Sequence, residues 1–427
     1  MSNNLRNLLF VLCLCAISLL IVWPWGGYTG DAHAPDTRND ARARHAVIFG
    51  KPAFLASPKP RGRGIVNAAA LENFFRALAQ SRSRPVRVLH YGDSHVAADI
   101  LTAFIRNSLQ SDFGDGGAGY LTPANPFSTQ RRNVTTRASN GWTFDGIGRR
   151  ESARDGFYGL AGISLSAERA GETLTLNAPG RHYEIFYLQR PGGGRFSVHT
   201  DGPDVDIATQ AEVPTPGYYA FVGAGAGAHD VEIRTLDDKP VRILGVVAER
   251  TAGVVYDVLG LNGARLRRWE DWSSLLLADN LRRRQPALVV LAYGTNEVSD
   301  TDWTPENYTR LLANVIRRVR QAVPEASVLV IGPPERADKE LAAERLPALI
   351  AAQRRAAEAN GAAFWSAYDA MGGAGTLENW VAAKWAQPDR IHFSRNGYQR
   401  LGALFYEDLR AAYQPRQKSS RRLFSAE

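Results

Sequence analysis

The chain carries its apolar residues in three different patterns. An unbroken apolar run extends from Leu8 to Trp25, with Ser18 as the single polar interruption, and a Pro-, Arg-, Ala- and Gly-rich stretch over 31–64 follows without periodicity. A helix is expected at Asn67–Gln80. Val86, Val88 and Leu89 then mark a compact strand ending at Tyr91-Gly92-Asp93-Ser94. Ile100, Leu101, Phe104, Ile105 and Leu109 repeat at helical spacing within 97–109, so this region reads strand, tight turn, helix. From about Asn133 short β-rich runs take over: Gly162–Ala167, Thr173–Asn177, Tyr183–Leu188, Phe196–His199, Tyr218–Val222, Val231–Arg234 and Val241–Val247. Gly, Pro and Asp turns separate them, as in a β-sandwich.

After Arg250 buried strands and helices alternate again. Strands are expected at Val254–Leu259, Ala287–Ala292, Ser327–Ile331 and Ala363–Ser366. Helices are expected at Leu275–Arg283, Pro305–Val323, Glu340–Asn360 and Ser394–Tyr413. Continuous apolar strands alternating with helices imply a parallel sheet covered on both faces. The predicted fold class is therefore α/β, a three-layer α/β/α parallel sheet with an inserted β-sandwich. The sheet domain is split over 65–132 and 250–413, the insert spans 133–249, and a mobile basic tail covers 414–427.

The first 30 residues predict a membrane anchor. The apolar run is long enough to span a bilayer, Arg6 precedes it, and Trp23 and Trp25 suit the membrane–water interface. The one Ala-x-Ala candidate, Ala32-His33-Ala34, lies well past the run and precedes Pro35, so an uncleaved anchor is favoured over a cleaved signal peptide. Either alternative exports the remainder to the periplasm. Cys13 and Cys15 both fall inside the run, so the exported part uses no disulfide and no Cys–metal site. The net charge of +8 comes from arginine, since lysine occurs six times. These charges are scattered, apart from Arg282–Arg284 and Arg421–Arg422, with no basic stripe to favour nucleic acid.

Four places could carry chemistry, each at a strand's carboxyl end or just before a helix. Ser94 sits where a hydroxyl would project from the sheet edge and its N–H could face an oxyanion. Taken alone, the tetrapeptide fits an ordinary N-cap as well as it fits a nucleophile. Asp389 stands three residues before His392, close enough to orient an imidazole that takes a serine proton. Asn296, in Tyr293-Gly294-Thr295-Asn296-Glu297, could donate an amide hydrogen to the same oxyanion. Leu259-Gly260-Leu261-Asn262-Gly263 could supply a backbone donor.

In these blocks and their order the chain resembles the SGNH/GDSL hydrolases. Gly92-Asp93-Ser94 matches the first block, Gly263 the second, Gly294-Thr295-Asn296 the third, and Asp389 to His392 the fifth. The resemblance implies a flavodoxin-like sheet with Ser94 as nucleophile, His392 as general base and then acid, and Asp389 as its partner. It implies an oxyanion hole made by the N–H groups of Ser94 and Gly263 and the amide of Asn296. Gly260 is a less favoured substitute for Gly263. Glu297 stands where the family commonly has Asp, and His95 where Leu is usual; both fall outside the implied catalytic roles.

Ser94 and Gly263 lie 169 positions apart (263 − 94), far more than compact members need. That gap, with His90-Tyr91-Gly92-Asp93-Ser94-His95 and Phe113-Gly114-Asp115-Gly116-Gly117-Ala118-Gly119-Tyr120, resembles the peptidoglycan O-acetylesterases of Gram-negative bacteria. Their insert is a jelly-roll-like, carbohydrate-binding-like sandwich. The implied reaction removes acetyl from the C6 hydroxyl of a cell-wall amino sugar through an acetyl-serine, with an envelope glycan as partner. Transfer of the acetyl to a peptidoglycan or exopolysaccharide hydroxyl by the same triad is the first alternative. A non-catalytic glycan-binding envelope protein is the second. No cofactor is called for, and the remaining histidines lack metal-ligand spacing. Gly223 to Ala228 fits a relaxed dinucleotide fingerprint but precedes a β-rich run, and so reads as a turn. Trp142, Phe144, Tyr158, Tyr218 and Tyr219 could stack on sugars, though such aromatics in a sandwich are more often core.

Overall fold

The computed structural model describes residues 64–123, 134–149, 152–225 and 227–424. Its centre is a five-stranded parallel sheet made of β1 (Pro85–Gly92), β13 (Gly253–Gly260), β14 (Leu288–Ala292), β15 (Ser327–Gly332) and β16 (Ala363–Ser366), in the order β13-β1-β14-β15-β16. Both faces are covered, and this is why the strands read as solid apolar runs. Leu89, Tyr91, Val289, Leu291, Val328 and Val330 face one core with helices Ser274–Arg284, Pro305–Ala322 and Glu340–Ala359. Val86, Val88, Leu288, Val290, Leu329 and Ile331 face the other with Glu72–Ala79, Leu101–Phe113 and Arg395–Phe424. The chain places β13 on one side of β1 and β14 on the other. The strand order therefore reverses at β1, and a crevice opens at its carboxyl end.

Between β1 and β13 the chain builds two antiparallel sheets, which fit an inserted domain. One holds β10 (Thr215–Val222), β7 (His182–Gln189), β12 (Val241–Glu249), β5 (Ile163–Ala167) and β4 (Thr143–Gly146), with β2 (Gly117–Leu121) paired to β12. The other runs β3 (Thr135–Ala138), β6 (Thr173–Pro179), β11 (Ala228–Thr235), β8 (Arg195–His199) and β9 (Val205–Ala208). Their shared core includes Leu165, Leu174, Leu176, Ile185, Phe196, Val231, Ile233 and Ile243. The reverse face of the first sheet, through Phe186, Leu188, Leu244 and Val247, joins the core of the parallel-sheet unit. That double contact buries every residue of β12, whereas β6 alternates between buried and half-buried.

All the strands expected from the sequence are present, several longer by one to four residues. Four others carry no pattern: β3, β4 and β9 are edge strands, and β2 begins Gly-Ala-Gly, with little side chain to alternate. An edge strand of four residues with one wet face has too little apolar signal to announce itself. The helix expected over 97–109 is two pieces, Ser94–Ala97 and Leu101–Phe113. Asp99 separates them in a left-handed conformation (φ 47°), its carboxylate accepting from Thr102 at 2.6 Å and Arg106 at 2.9 Å. The last helix continues past Tyr413 to Phe424, so most of the stretch expected as a mobile tail is helical. Trp142 and Tyr158 are core residues, and Tyr218 donates to Asn280 of helix Ser274–Arg284 at 2.9 Å. The apolar run 8–25 lies outside the described residues, among which no helix is long and apolar enough to cross a membrane.

Candidate active site

Close packing of glycine brings the candidate residues to the carboxyl edge of β1. A Cβ on Gly92 would stand 2.4 Å from Val96 Cγ2 and 2.6 Å from the Ala292 carbonyl. A Cβ on Gly260 would stand 2.4 Å from the Ala97 nitrogen. The one-turn helix Ser94–Ala97 thus rests directly on the ends of β1 and β13, which only glycine permits. Asp93 caps that turn, its carboxylate accepting from the His95 N–H at 3.0 Å. Ser94, as first residue of the turn, leaves its own N–H without a partner among the described residues.

Ser94 Oγ lies 2.9 Å from His392 Nε2, and His392 Nδ1 lies 2.7 Å from Asp389 Oδ2. An ionised carboxylate can only accept, so Nδ1 carries the proton and Nε2 is left to accept from the serine hydroxyl. Asp389 Oδ1 also accepts the N–H of Ile391 at 3.0 Å and of His392 at 2.9 Å. Partial burial alone would raise its pKa; the hydrogen bonds from His392 and Ile391 outweigh that and hold it below the usual carboxylate range. Arg390, between them, is left-handed (φ 58°), the bend that turns the imidazole back toward Ser94. The side chains of His392 and Asp389 are 35% and 42% exposed, so the line opens directly to solvent.

The Gly263 and Asn296 loops meet here as well. Leu261 donates to the Gly92 carbonyl at 3.0 Å, placing its loop beside the Ser94 turn. Gly263 is left-handed (φ 70°) with open space where a Cβ would stand, and its N–H has no partner among the described residues. Asn296 Nδ2 donates to the Ala264 carbonyl at 2.9 Å, which uses one amide hydrogen and leaves the other. Gly260 lies within the β13 ladder, packed under the Ser94 turn.

Three neighbours are given no role by the sequence motifs. Glu297 is buried and accepts from Leu266 N at 2.7 Å and Gly294 N at 3.0 Å. Burial pushes its carboxyl up to about 7. Arg336 donates to the Thr295 carbonyl and pairs with Asp338, while Ala337 N bonds the Arg390 carbonyl at 3.1 Å. The segment after β15 thereby ties the Asn296 turn to the His392 loop. His95 is buried beside His392 with ring centroids 5.5 Å apart, its Nδ1 2.9 Å from the Tyr398 hydroxyl. Burial keeps it neutral by lowering its pKa, with Asp93 opposing. Among the described residues no group of three or more His, Cys, Asp or Glu could hold a metal ion.

Residues 223–400 match the GDSL-like lipase/acylhydrolase family. That span holds Gly263, Asn296, Asp389 and His392, whereas Ser94 precedes it on the far side of most of the antiparallel strands. No curated protein sequence matches the chain. Among solved structures, a peptidoglycan O-acetylesterase shares 25% identity at a TM-score of 0.70, covering 82% of this chain and 99% of its own. Family two carbohydrate esterases from Clostridium thermocellum and Cellvibrio japonicus align over 64% and 66% of this chain and 98% of each of theirs. Their identities are 12% and 15% and their TM-scores 0.31 and 0.28, likenesses too loose to bear on function. The family match over 223–400 and the likeness that spans sheet and insert together bear out the resemblance to the SGNH/GDSL hydrolases and identify the chain as an esterase.

Proposed function

We propose that this esterase removes O-acetyl groups from a cell-envelope glycan, peptidoglycan in particular, through an acetyl-serine intermediate. The observation that carries the reading is the continuous line Ser94 Oγ–His392 Nε2, His392 Nδ1–Asp389 Oδ2, at 2.9 and 2.7 Å. Ser94 Oγ attacks the acetyl carbonyl as its proton passes to His392 Nε2. Asp389 stabilises the imidazolium. The oxyanion is received by the N–H groups of Ser94 and Gly263 and the spare amide hydrogen of Asn296, which can respond without solvent reorganisation. His392 returns the proton to the departing sugar oxygen, then deprotonates a water that frees acetate and restores Ser94.

The choice of glycan is supported by the likeness to the peptidoglycan O-acetylesterase over 82% of the chain, insert included. The exposure of His392 and Asp389 also suits an ester carried on a polymer. The apolar run at 8–25 supports a periplasmic site tethered to the inner membrane.

Acetate release by the parent and Ser94→Ala from O-acetylated peptidoglycan, O-acetylated xylan and an O-acetylated exopolysaccharide tests the proposal. Fastest release from peptidoglycan, lost in Ser94→Ala, is expected. Product that appears only with a glycan acceptor and little free acetate would establish transfer instead of hydrolysis. Equal rates for parent and Ser94→Ala would remove Ser94 from the chemistry.

A further inference from the structure

The two loops that carry the candidate oxyanion donors are laced together by consecutive contacts. Residues 263–266 supply one side, and Gly294 to Asp300 the other. Asn296 Nδ2 donates to the Ala264 carbonyl at 2.9 Å. Arg265 Nε donates to both Asp300 carboxylate oxygens at 2.8 and 2.9 Å, and its Nη1 reaches the Gly263 carbonyl at 3.3 Å. Between these lies Glu297, the buried centre of the lacing. One of its oxygens accepts Leu266 N at 2.7 Å and the other accepts Gly294 N at 3.0 Å. Leu266 follows Gly263 by three residues and Gly294 precedes Asn296 by two, so one rigid carboxylate spans the segments bearing both donors.

We propose that Glu297 is a positioning residue for ester hydrolysis: its carboxylate, bridging Leu266 N and Gly294 N, fixes the separation of the Gly263 N–H and the Asn296 amide. This rests on the reading of those two groups as oxyanion donors. No neutral side chain of the same length does the same work. A glutamine offers one acceptor oxygen, and its NH2 would face the second N–H donor to donor. An aspartate keeps the charge but is one methylene short of spanning both. The arrangement is also unfavourable for the fold. Asp93 adds to the penalty of burying the charge, Tyr293 and Tyr308 pack nearby, and the close cation, Arg265, is engaged by Asp300. A buried carboxylate without its own ion-pair partner among the described residues needs a reason beyond packing, and fixing the oxyanion donors supplies one.

The test is a double-mutant cycle in the full chain, with 4-nitrophenyl acetate as substrate. Parent, Asn296→Ala, Glu297→Gln and the double variant are compared for kcat and KM, with circular dichroism and melting temperature recorded for each. In Glu297→Gln kcat is expected to fall on the order of 10- to 100-fold with KM within about threefold, the effect of an oxyanion donor displaced by an ångström or so. The double variant should lose little more than Asn296→Ala alone, because both changes act through the same donors. A merely structural glutamate would give independent losses that multiply. Glu297→Asp, with charge retained, carries the same cycle if Glu297→Gln does not fold. A folded Glu297 variant at parental kcat, or losses that multiply in the cycle, overturns the inference while Asn296→Ala remains impaired. If Asn296→Ala itself turns over at the parental rate, the oxyanion assignment falls and this inference with it.

Discussion

The substitution Asp389→Asn isolates one hydrogen bond in the site while leaving its loop intact. Asp389 Oδ1 accepts two backbone N–H groups, from Ile391 at 3.0 Å and His392 at 2.9 Å, and an asparagine oxygen can keep both. The side-chain NH2 of the new amide would then face His392 Nδ1, which in the parent lies 2.7 Å from a carboxylate oxygen. Two donors cannot share that contact. The imidazole must shift its proton to Nε2, where it points at Ser94 Oγ and can no longer accept. Regaining the reactive tautomer leaves a donor unpaired, about 1–3 kcal/mol. Forming the imidazolium without its carboxylate forfeits a charge-assisted bond, about another 1.5–3 kcal/mol. Together these correspond to roughly 10²–10⁴ in kcat. Solvent access to Asp389, whose side chain is 42% exposed, screens part of the effect and favours the middle of that range, about 10³. The assay is steady-state hydrolysis of a chromogenic acetate from about pH 5 to 9, with thermal unfolding measured alongside. KM should change by less than about threefold and the melting temperature by a few degrees at most, since the two backbone bonds persist. A kcat within about tenfold of the parent at every pH would refute the tautomer argument and Asp389's role with it.

The glycines give a paired prediction. Gly260→Ala forces a Cβ to 2.4 Å from the Ala97 backbone nitrogen, so the turn bearing Ser94 must move; kcat should collapse and stability fall. Gly263→Ala meets no atom within 4 Å and adds only the strain of its left-handed φ of 70°, about 1–2 kcal/mol, while keeping its N–H. Comparable kcat losses in the two variants would contradict this contrast. Glu297 predicts a stability trend with pH. Its folded pKa, raised by burial from the ordinary 4.5 to about 7, means that its stability contribution is fully present below about pH 4.5 and is lost as pH rises through 7. The loss amounts to roughly 3 kcal/mol. Urea unfolding of parent and Glu297→Gln should therefore show the variant gaining relative stability between about pH 4.5 and 7.5; a pH-independent difference would sink the assignment.

The parallel sheet was legible because its strands are buried on both faces, so that Ala287–Ala292 and Ser327–Ile331 stand out as solid apolar blocks closed by Gly or turn residues. In the insert, the inner strands alternate strongly enough to be seen. The edges β3, β4 and β9 do not, because each is only four residues long and largely open to solvent. The helix break at Asp99 was invisible for a related reason. A left-handed aspartate is tolerable only where Thr102 and Arg106 satisfy it, and periodicity does not register that.

For the candidate site, motif and order singled out Ser94, Gly263, Asn296, Asp389 and His392, each at a strand end or loop where a side chain or N–H is accessible. The same residue patterns left Glu297 and His95 aside. Glu297 accepts from Leu266 across 31 positions and His95 meets Tyr398 across 303, contacts that no spacing rule encodes. Short-range physics, the burial pattern of a strand and the turn after it, is written locally in the residues and can be read one window at a time. The spacing of an oxyanion hole is a distance between loops. It exists only once packing has brought Gly92, Gly260 and the ends of β1, β13 and β14 into contact, and therefore it was decided by the folded chain alone.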